Sequence, residues 1–185
     1  REDLVAYPRA MLLTADASAL LLIDLQERLV PAIDGGGKDM VANATRLAAA
    51  AGLLDVPVCA TEQAPDKLGP TVAELATYPQ LVLSKTVFGA ASFPTLLPPG
   101  AEEIVVAGCE AHVCVLQTVL GLLAARHRVL VVADAIGSRT TANRDAAISR
   151  MGRHGAEIVT TEMVLFEWLR DAAHPRFREV QALIR

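Results

Sequence analysis

Six short apolar runs, separated by segments with helical patterns, are the strongest constraint on the fold of this chain. Each run is four or five residues long and is mostly apolar, which is typical of strands buried on both faces of a parallel sheet. We predict strands over residues 19–23, 56–60, 81–84, 103–107, 129–133 and 157–160. Because these strands alternate with helices, the sequence predicts an α/β fold of βαβ units with helices on both faces of the sheet.

Helical spacing of apolar residues predicts the elements between the strands. The longer helices are predicted at residues 40–54, 113–126, 142–154 and 161–172, and shorter ones at residues 71–77, at residues 177–184 and up to Leu97. The glycine-rich segment at residues 33–37 lacks the spacing of a phosphate-binding loop, so we predict a flexible connection there. We treat residues 11–185 as a single domain and residues 1–10 as an N-terminal extension of uncertain origin.

The composition argues against several classes of function. The 185 residues carry a formal net charge of −4, whereas binding to nucleic acid or to an anionic membrane requires a basic patch. The apolar runs are too short to span a bilayer, and Thr14, Asp16 and Ser18 interrupt the apolar stretch near the start, so no signal peptide is expected. Three cysteines, an odd number, indicate free thiols in a reducing compartment. We therefore expect a cytoplasmic protein that binds neither nucleic acid nor membrane.

Cys114 is the first candidate for a reactive residue. It lies where the apolar run at residues 103–107, closed by Gly108, gives way to a long helical pattern. In the first turn of a helix, unpaired N–H groups and the helix dipole favour the thiolate, which is the reactive form of cysteine. Cys114 also fits the ordinary role of a small, buried, apolar side chain.

Two polar residues are predicted at the same edge of the sheet as Cys114. Asp24 directly follows the first strand, and Lys85 directly follows the third. Alone, Asp24 is equally suited to a turn or a helix cap, and Lys85 to a solvated surface. However, ligands of parallel sheets bind outside the carboxyl ends of the strands. There the three residues supply a nucleophile, a base for its proton and a cation that orders the pair.

Several segments extend this pattern along nearly the whole chain, from about residue 19 to residue 184. They are residues 22–26 (LIDLQ), 61–63 (TEQ), 84–86 (SKT), 108–118 (GCEAHVCVLQT), 134–139 (DAIGSR) and 160–163 (TTEM), followed by Phe166. With these segments in this order, the chain resembles the isochorismatase-like cysteine hydrolases, specifically the branch of isochorismatase domain-containing proteins.

The resemblance implies a three-layer αβα fold, with a six-stranded parallel sheet in a Rossmann-like order, and a catalytic triad of Asp24, Lys85 and Cys114. In such a triad Asp24 accepts the thiol proton, Lys85 supports the charged pair, and Cys114 attacks an electrophilic carbon of a small-molecule substrate. The resemblance also implies a cis peptide between Cys109 and Glu110, and an oxyanion hole formed by the backbone N–H groups of Glu110 and Cys114. It further implies a homodimer or a larger homo-oligomer.

Four residues close to the triad in the sequence are candidates for lining the substrate pocket. They are Gln26, Gln63, Phe88 and His112. Phe88, together with Phe93, follows Lys85 in a segment predicted to be a mobile loop over the pocket, although plain core packing explains both aromatic rings equally well. His112 is equally suited to the start of a helix, with its ring solvated.

The chain departs from the wider family at two places. Many relatives have threonine in place of Ala111, and the nicotinamidase branch has an Asp-x-His metal-binding pattern where this chain has TEQ at residues 61–63. The four histidines show no close metal-ligand spacing. We therefore expect neither a metal nor a cofactor.

From the triad, we predict a hydrolase of a small amide or related C–N bond with a thioester-like intermediate. A non-catalytic protein that binds a metabolite or a partner, and a thiol redox protein, are the alternatives. The redox alternative is weakened because Cys109 and Cys114 lack Cys-x-x-Cys spacing.

Overall fold

A six-stranded parallel sheet forms the centre of the molecule. The structure is a computed structural model that describes residues 11–185, so the predicted N-terminal extension lies outside the described residues. The strands are β1 (Ser18–Ile23), β2 (Val58–Gln63), β3 (Leu81–Lys85), β4 (Glu103–Cys109), β5 (Arg128–Gly137) and β6 (Glu157–Val159). They are ordered β3-β2-β1-β4-β5-β6, and every neighbouring pair is parallel. The predicted α/β class and the Rossmann-like order are confirmed.

Helices cover both faces of the sheet. They are α1 (Lys38–Leu53), α2 (Pro65–Leu68), α3 (Leu116–Ala124), α4 (Thr141–Arg153), α5 (Thr161–Leu169) and α6 (Phe177–Ala182). The apolar side chains of α1, α5 and α6 belong to one core cluster, and those of α3 and α4 to a second. Every residue of β1 and β4 is buried, which explains why these two strands appear in the sequence as continuous apolar runs. Within residues 11–185, none of the helices has both the length and the hydropathy needed to cross a bilayer.

The second strand begins and ends two to three residues later than predicted. Pro57 has no N–H to donate to a sheet, and pairing starts at Val58. The strand then continues through Gln63, so the TEQ segment lies in β2 and does not follow it. The predicted helix at residues 71–77 is wrong, because this segment forms turns. The short helix occurs earlier, as α2. Gly69, the residue after its last turn, has a φ of +78°.

A predicted helix, a predicted strand and the glycine-rich segment also differ from the structure. The helix predicted to end at Leu97 is wrong: the segment forms turns, because Pro94 and Pro98 cannot donate helical hydrogen bonds. The fifth strand is twice as long as predicted and contains Asp134, which was expected at its end. Asp134 Oδ1 accepts bonds from the N–H and hydroxyl of Thr161 and so stabilises the start of α5. In the glycine-rich segment, which was predicted to be a flexible connection, Gly35, Gly36 and Gly37 have φ values of +67° to +69°, in the left-handed region that glycine adopts readily.

Gly108 is the residue that allows β4 to run so close to β1. It lies within β4, and not after it as predicted, with a φ of +128°. A Cβ atom at this position would overlap the carbonyl oxygen of Ile23 and lie 2.7 Å from the Ile23 nitrogen. Only glycine therefore fits both the backbone conformation and the space. This close approach brings the carboxyl ends of β1 and β4 side by side.

Candidate active site

The strand winding reverses between β1 and β4, and Asp24 is the first residue after β1 at that point. Its φ is +50°, in the left-handed region that aspartate and asparagine adopt more readily than most residues. The Asp24 N–H donates to the Thr61 carbonyl at 3.1 Å, and the Asp24 carbonyl accepts from the Gln26 N–H at 2.9 Å. The Cys109 thiol donates to the same carbonyl at 3.3 Å. These bonds fix the turn, and the Asp24 residue is 0% exposed.

Asp24 and Lys85 form a fully buried ion pair. Lys85 Nζ lies 2.8 Å from Asp24 Oδ2, and both side chains are 0% exposed. The other carboxylate oxygen, Oδ1, accepts a 2.6 Å bond from the Thr61 hydroxyl. Lys85 Nζ also donates to Gln63 Oε1 at 2.7 Å. A buried pair of ions is retained in a protein only if such additional bonds replace the lost water, and both partners have them here.

The chain reaches Cys114 through an irregular segment. The peptide between Cys109 and Glu110 is cis, as the resemblance implies. A π-helical turn over Ala111–Val115 follows, and the α-helix begins only at Leu116, three residues later than predicted. The Thr118 hydroxyl donates a 2.7 Å bond to the Cys114 carbonyl, which supports the wide turn. Such single π-turns are frequent at functional sites.

The Cys114 thiol is held in its protonated form. The residue is 5% exposed, and both the Asp24 carboxylate and the Lys85 ammonium act on the pKa of its thiol. Burial and the neighbouring Asp24 carboxylate raise the pKa of Cys114 to about 12, against an opposing effect of Lys85. The prediction that a helix start makes this cysteine a ready thiolate is therefore wrong.

Gln26 and Gln63, both predicted to line a pocket, are joined to each other by hydrogen bonds. Gln26 is 0% exposed. Its Oε1 accepts from the Gln63 N–H at 2.8 Å, and its Nε2 donates to the Gln63 carbonyl at 3.0 Å and the Gly69 carbonyl at 2.7 Å. Sequence reasoning missed both these contacts and the role of Thr61 as a partner of Asp24. The only signal for them was that the TEQ segment follows an apolar strand run.

His112 and Glu110 connect the nucleophile turn to the end of β5. His112 Nδ1 lies 3.0 Å from the Ser138 hydroxyl, and Glu110 Oε2 accepts a 3.0 Å bond from Arg139 Nε. The His112 ring is therefore partly buried and held by Ser138, and it is not free in solvent. Since the Arg139 side chain is mostly exposed, its ion pair contributes little to stability, about 0–1 kcal/mol.

The segment after Lys85 packs on α3, the helix that follows Cys114. The Ala90 N–H donates a 3.0 Å bond to the Thr118 hydroxyl, and a side chain on Gly121 would collide with Ala91. The predicted mobile loop is therefore anchored at Ala90, which is fully buried. Phe88 is 51% exposed, so the core-packing interpretation does not hold for that ring.

The segment at residues 61–63 does not offer a metal site. Thr61 and Gln63 bind Asp24 and Lys85, and Glu62 Oε1 accepts from the N–H and hydroxyl of Thr71. Within residues 11–185, no group of three or more histidine, cysteine or acidic side chains is arranged to hold a metal ion. All three cysteines are free thiols.

Comparison with known proteins agrees with the fold and with the family that the sequence resembles. A sequence model of the isochorismatase domain matches residues 18–163. Isochorismatase domain-containing protein 2A of Mus musculus is 38% identical over 92% of this chain and 84% of its own length. Isochorismatase domain-containing protein 1 of Danio rerio is 37% identical over 94% of this chain, which spans 62% of that relative's length.

A solved structure, that of the MAR1 ribonuclease from Caenorhabditis elegans, has the same fold. It superposes with a TM-score of 0.85 at 34% identity, over 93% of this chain and 91% of that one. Sequence and structure thus agree over most of the chain. The chain belongs to the isochorismatase family.

Proposed function

We propose that this chain is a cysteine hydrolase of small amides or related C–N bonds, with Cys114 as the nucleophile, Asp24 as the base and Lys85 as the supporting cation. The observation that carries the proposal is the buried Asp24–Lys85 ion pair, whose two charges both act on the pKa of the Cys114 thiol. A buried carboxylate beside a protonated thiol can remove its proton at the moment of attack.

In the first half of the reaction, Asp24 takes the proton from the Cys114 thiol while the sulfur attacks the substrate carbonyl carbon. A C–S bond forms, and the carbonyl oxygen becomes an oxyanion. We assign its stabilisation to the backbone N–H groups of Glu110 and Cys114 at the nucleophile turn. Asp24 then gives its proton to the leaving nitrogen, the C–N bond breaks, and an amine or ammonia leaves a thioester on Cys114.

In the second half, Asp24 takes a proton from water, and the resulting hydroxide attacks the thioester carbon. The C–S bond breaks, the acid product leaves, and the proton held by Asp24 returns to the Cys114 sulfur. Lys85 keeps its charge throughout and stabilises whichever partner of the pair is negative. The cycle returns every group to its starting state and uses no metal or cofactor.

The burial of all three groups favours a compact substrate. Asp24, Lys85 and Cys114 are between 0% and 5% exposed, so a reactive carbon reaches the thiol only if it belongs to a small molecule or a narrow end of a larger one. RNA is disfavoured, although the C. elegans relative is described as a ribonuclease. The cation of this site is buried and already paired with a carboxylate, whereas phosphate backbones are bound by accessible lysine and arginine.

Release of ammonia from a panel of small primary amides tests the proposal. The panel is assayed with the parent protein, with Cys114→Ala and with Cys59→Ala, a matched control in which another buried cysteine is removed. We expect turnover in the parent and in Cys59→Ala, and none in Cys114→Ala. Turnover that survives in Cys114→Ala would refute the nucleophile, and cleavage of an RNA oligonucleotide that depends on Cys114 would refute the substrate class.

A further inference from the structure

The Lys85 ammonium has three protons and three neighbours in its buried site. Asp24 Oδ2 lies at 2.8 Å and Gln63 Oε1 at 2.7 Å, and the charge of the ammonium also acts on the nearby Cys114 thiol, whose pKa it lowers. A protonated amine donates three hydrogen bonds in a tetrahedral arrangement. The acceptor from Gln63 therefore fixes the rotation of the ammonium, and the other two protons are directed to the carboxylate and the sulfur.

The orientation of the Gln63 amide follows from its second contact. Nε2 of Gln63 donates to the Thr86 carbonyl at 2.7 Å, which leaves Oε1 to face Lys85. Since the amide is neutral, it orders the ammonium without cancelling its charge. A carboxylate at the same place would offset the Lys85 charge and so weaken the stabilisation that Lys85 gives to a thiolate at Cys114.

Gln26 holds Gln63 in this position from the opposite side. The chain turns away from the sheet at Asp24, so β1 provides no backbone partner for the last residue of β2. The buried side-chain amide of Gln26 takes that place, and it accepts from the Gln63 N–H and donates to the Gln63 carbonyl. This pair of bonds imitates the hydrogen bonds of a neighbouring strand.

We propose that Gln63 is a positioning residue of the active site, which directs the Lys85 ammonium toward Asp24 and Cys114, and that Gln26 is the clamp that holds it. The inference rests on the proposed function, because it concerns the same triad. Gln63 binds the Lys85 ammonium directly. Its effect reaches the reaction through Lys85 and is measurable without knowledge of the substrate.

The first experiment measures the rate of Cys114 alkylation by iodoacetamide against pH, resolved by mass spectrometry, in Gln63→Glu. The matched control is Gln181→Glu, which adds the same charge on α6. We expect Gln63→Glu to slow alkylation at least about tenfold at mildly alkaline pH, because the new charge disfavours the thiolate. The control should follow the parent. An equal effect of both variants would overturn the inference, since net charge would then suffice.

The second experiment keeps the inference testable if Gln63→Glu does not fold. The chain has three lysines, so a lysine-labelled sample gives few side-chain ammonium signals in nitrogen-detected NMR, and Lys85→Met identifies that of Lys85. In Gln63→Met, which has no acceptor, we expect the Lys85 ammonium protons to exchange with water at least about tenfold faster than in the parent. Unchanged exchange would overturn the inference.

Failure of the inference and failure of the proposed function give different results. If Asp24→Asn and Lys85→Met change Cys114 alkylation but both Gln63 variants match the parent, only the positioning role is wrong. If none of these variants changes alkylation, the triad itself is wrong and the positioning role is wrong with it.

Discussion

Replacement of Asp24 by asparagine should raise the alkylation rate of Cys114 and lower the rate at which the protein turns over its substrate. Asparagine has the same shape, tolerates the left-handed backbone at this position, and keeps an acceptor for the Thr61 hydroxyl. It removes one negative charge beside the thiol. The Asp24 carboxylate is one cause of the raised pKa of Cys114, so its loss lowers that pKa and increases the thiolate fraction.

The size of the increase can be bounded from the geometry. A unit charge about 4 Å away, at an effective dielectric constant of about 20, changes the free energy of the thiolate by about 4 kcal/mol. At about 1.4 kcal/mol per tenfold change, the ceiling is an increase of about 10³ in thiolate fraction. We expect at least about a tenfold rise in the alkylation rate at neutral pH, because relaxation and entering water reduce the full effect. Turnover should instead fall by about 10²–10⁴, because the base is gone.

Site-resolved mass spectrometry of iodoacetamide labelling measures the first effect, and product release measures the second. In the parent protein the pKa of Cys114 is raised to about 12, so the alkylation rate should rise about tenfold per pH unit from neutral to about pH 10 without a plateau. Asp134→Asn is the matched control, since Asp134 binds Thr161 and not Cys114. Alkylation that is unchanged or slower in Asp24→Asn would refute the assignment of Asp24 as the group that controls the thiol proton.

Three further predictions concern the stability of the fold, and the second has a matched control. Lys85→Met leaves a buried carboxylate without its cation and should lower the free energy of unfolding in urea by about 3–5 kcal/mol; a loss below about 1 kcal/mol would contradict the buried ion pair. Gly108→Ala should destabilise the fold by more than about 3 kcal/mol, because its Cβ overlaps the neighbouring strand. Gly52→Ala, in open space within α1, should instead be neutral or stabilising by up to about 1 kcal/mol, and equal thermal melts of the two variants would count against the close approach. Trp168→Phe removes the indole bond to the Ser18 hydroxyl and should cost about 1 kcal/mol, a fall of about 2–4 °C in melting temperature; an unchanged melt would argue against that bond.

The sequence was most informative where one physical effect dominates. β1 and β4 are buried on both faces, so their apolar runs alone located them to within one or two residues. Asp24, Lys85 and Cys114 could be proposed as neighbours because each lies at the carboxyl end of a strand, and the fold places those ends together. Both inferences need only local pattern and topology.

Other features depend on contacts between residues distant in the sequence. The length of β2 depends on its pairing with β3 as far as Gln63 and on the Gln26 side chain on the other edge, and neither contact has a local signal in the sequence. Val72 and Leu75 lie in the segment predicted as a helix at residues 71–77, and they fill the core from a segment of turns. The protonation of Cys114 depends on its depth and on its distance from Asp24, and neither could be predicted from a helix start alone.

If Cys114 is the nucleophile, it forms a covalent bond with the substrate during turnover, and the most direct experiment is to trap that bond. A reaction with any amide that the protein turns over is quenched in acid within the first turnovers, digested and mapped by mass spectrometry. We expect the acyl mass on the peptide that contains Cys114, and on neither Cys59 nor Cys109. The acyl-enzyme accumulates in the steady state if the attack of water is the slower step. Release of the amine with no acyl group on Cys114, while Cys114→Ala still turns over the same amide, would contradict the account.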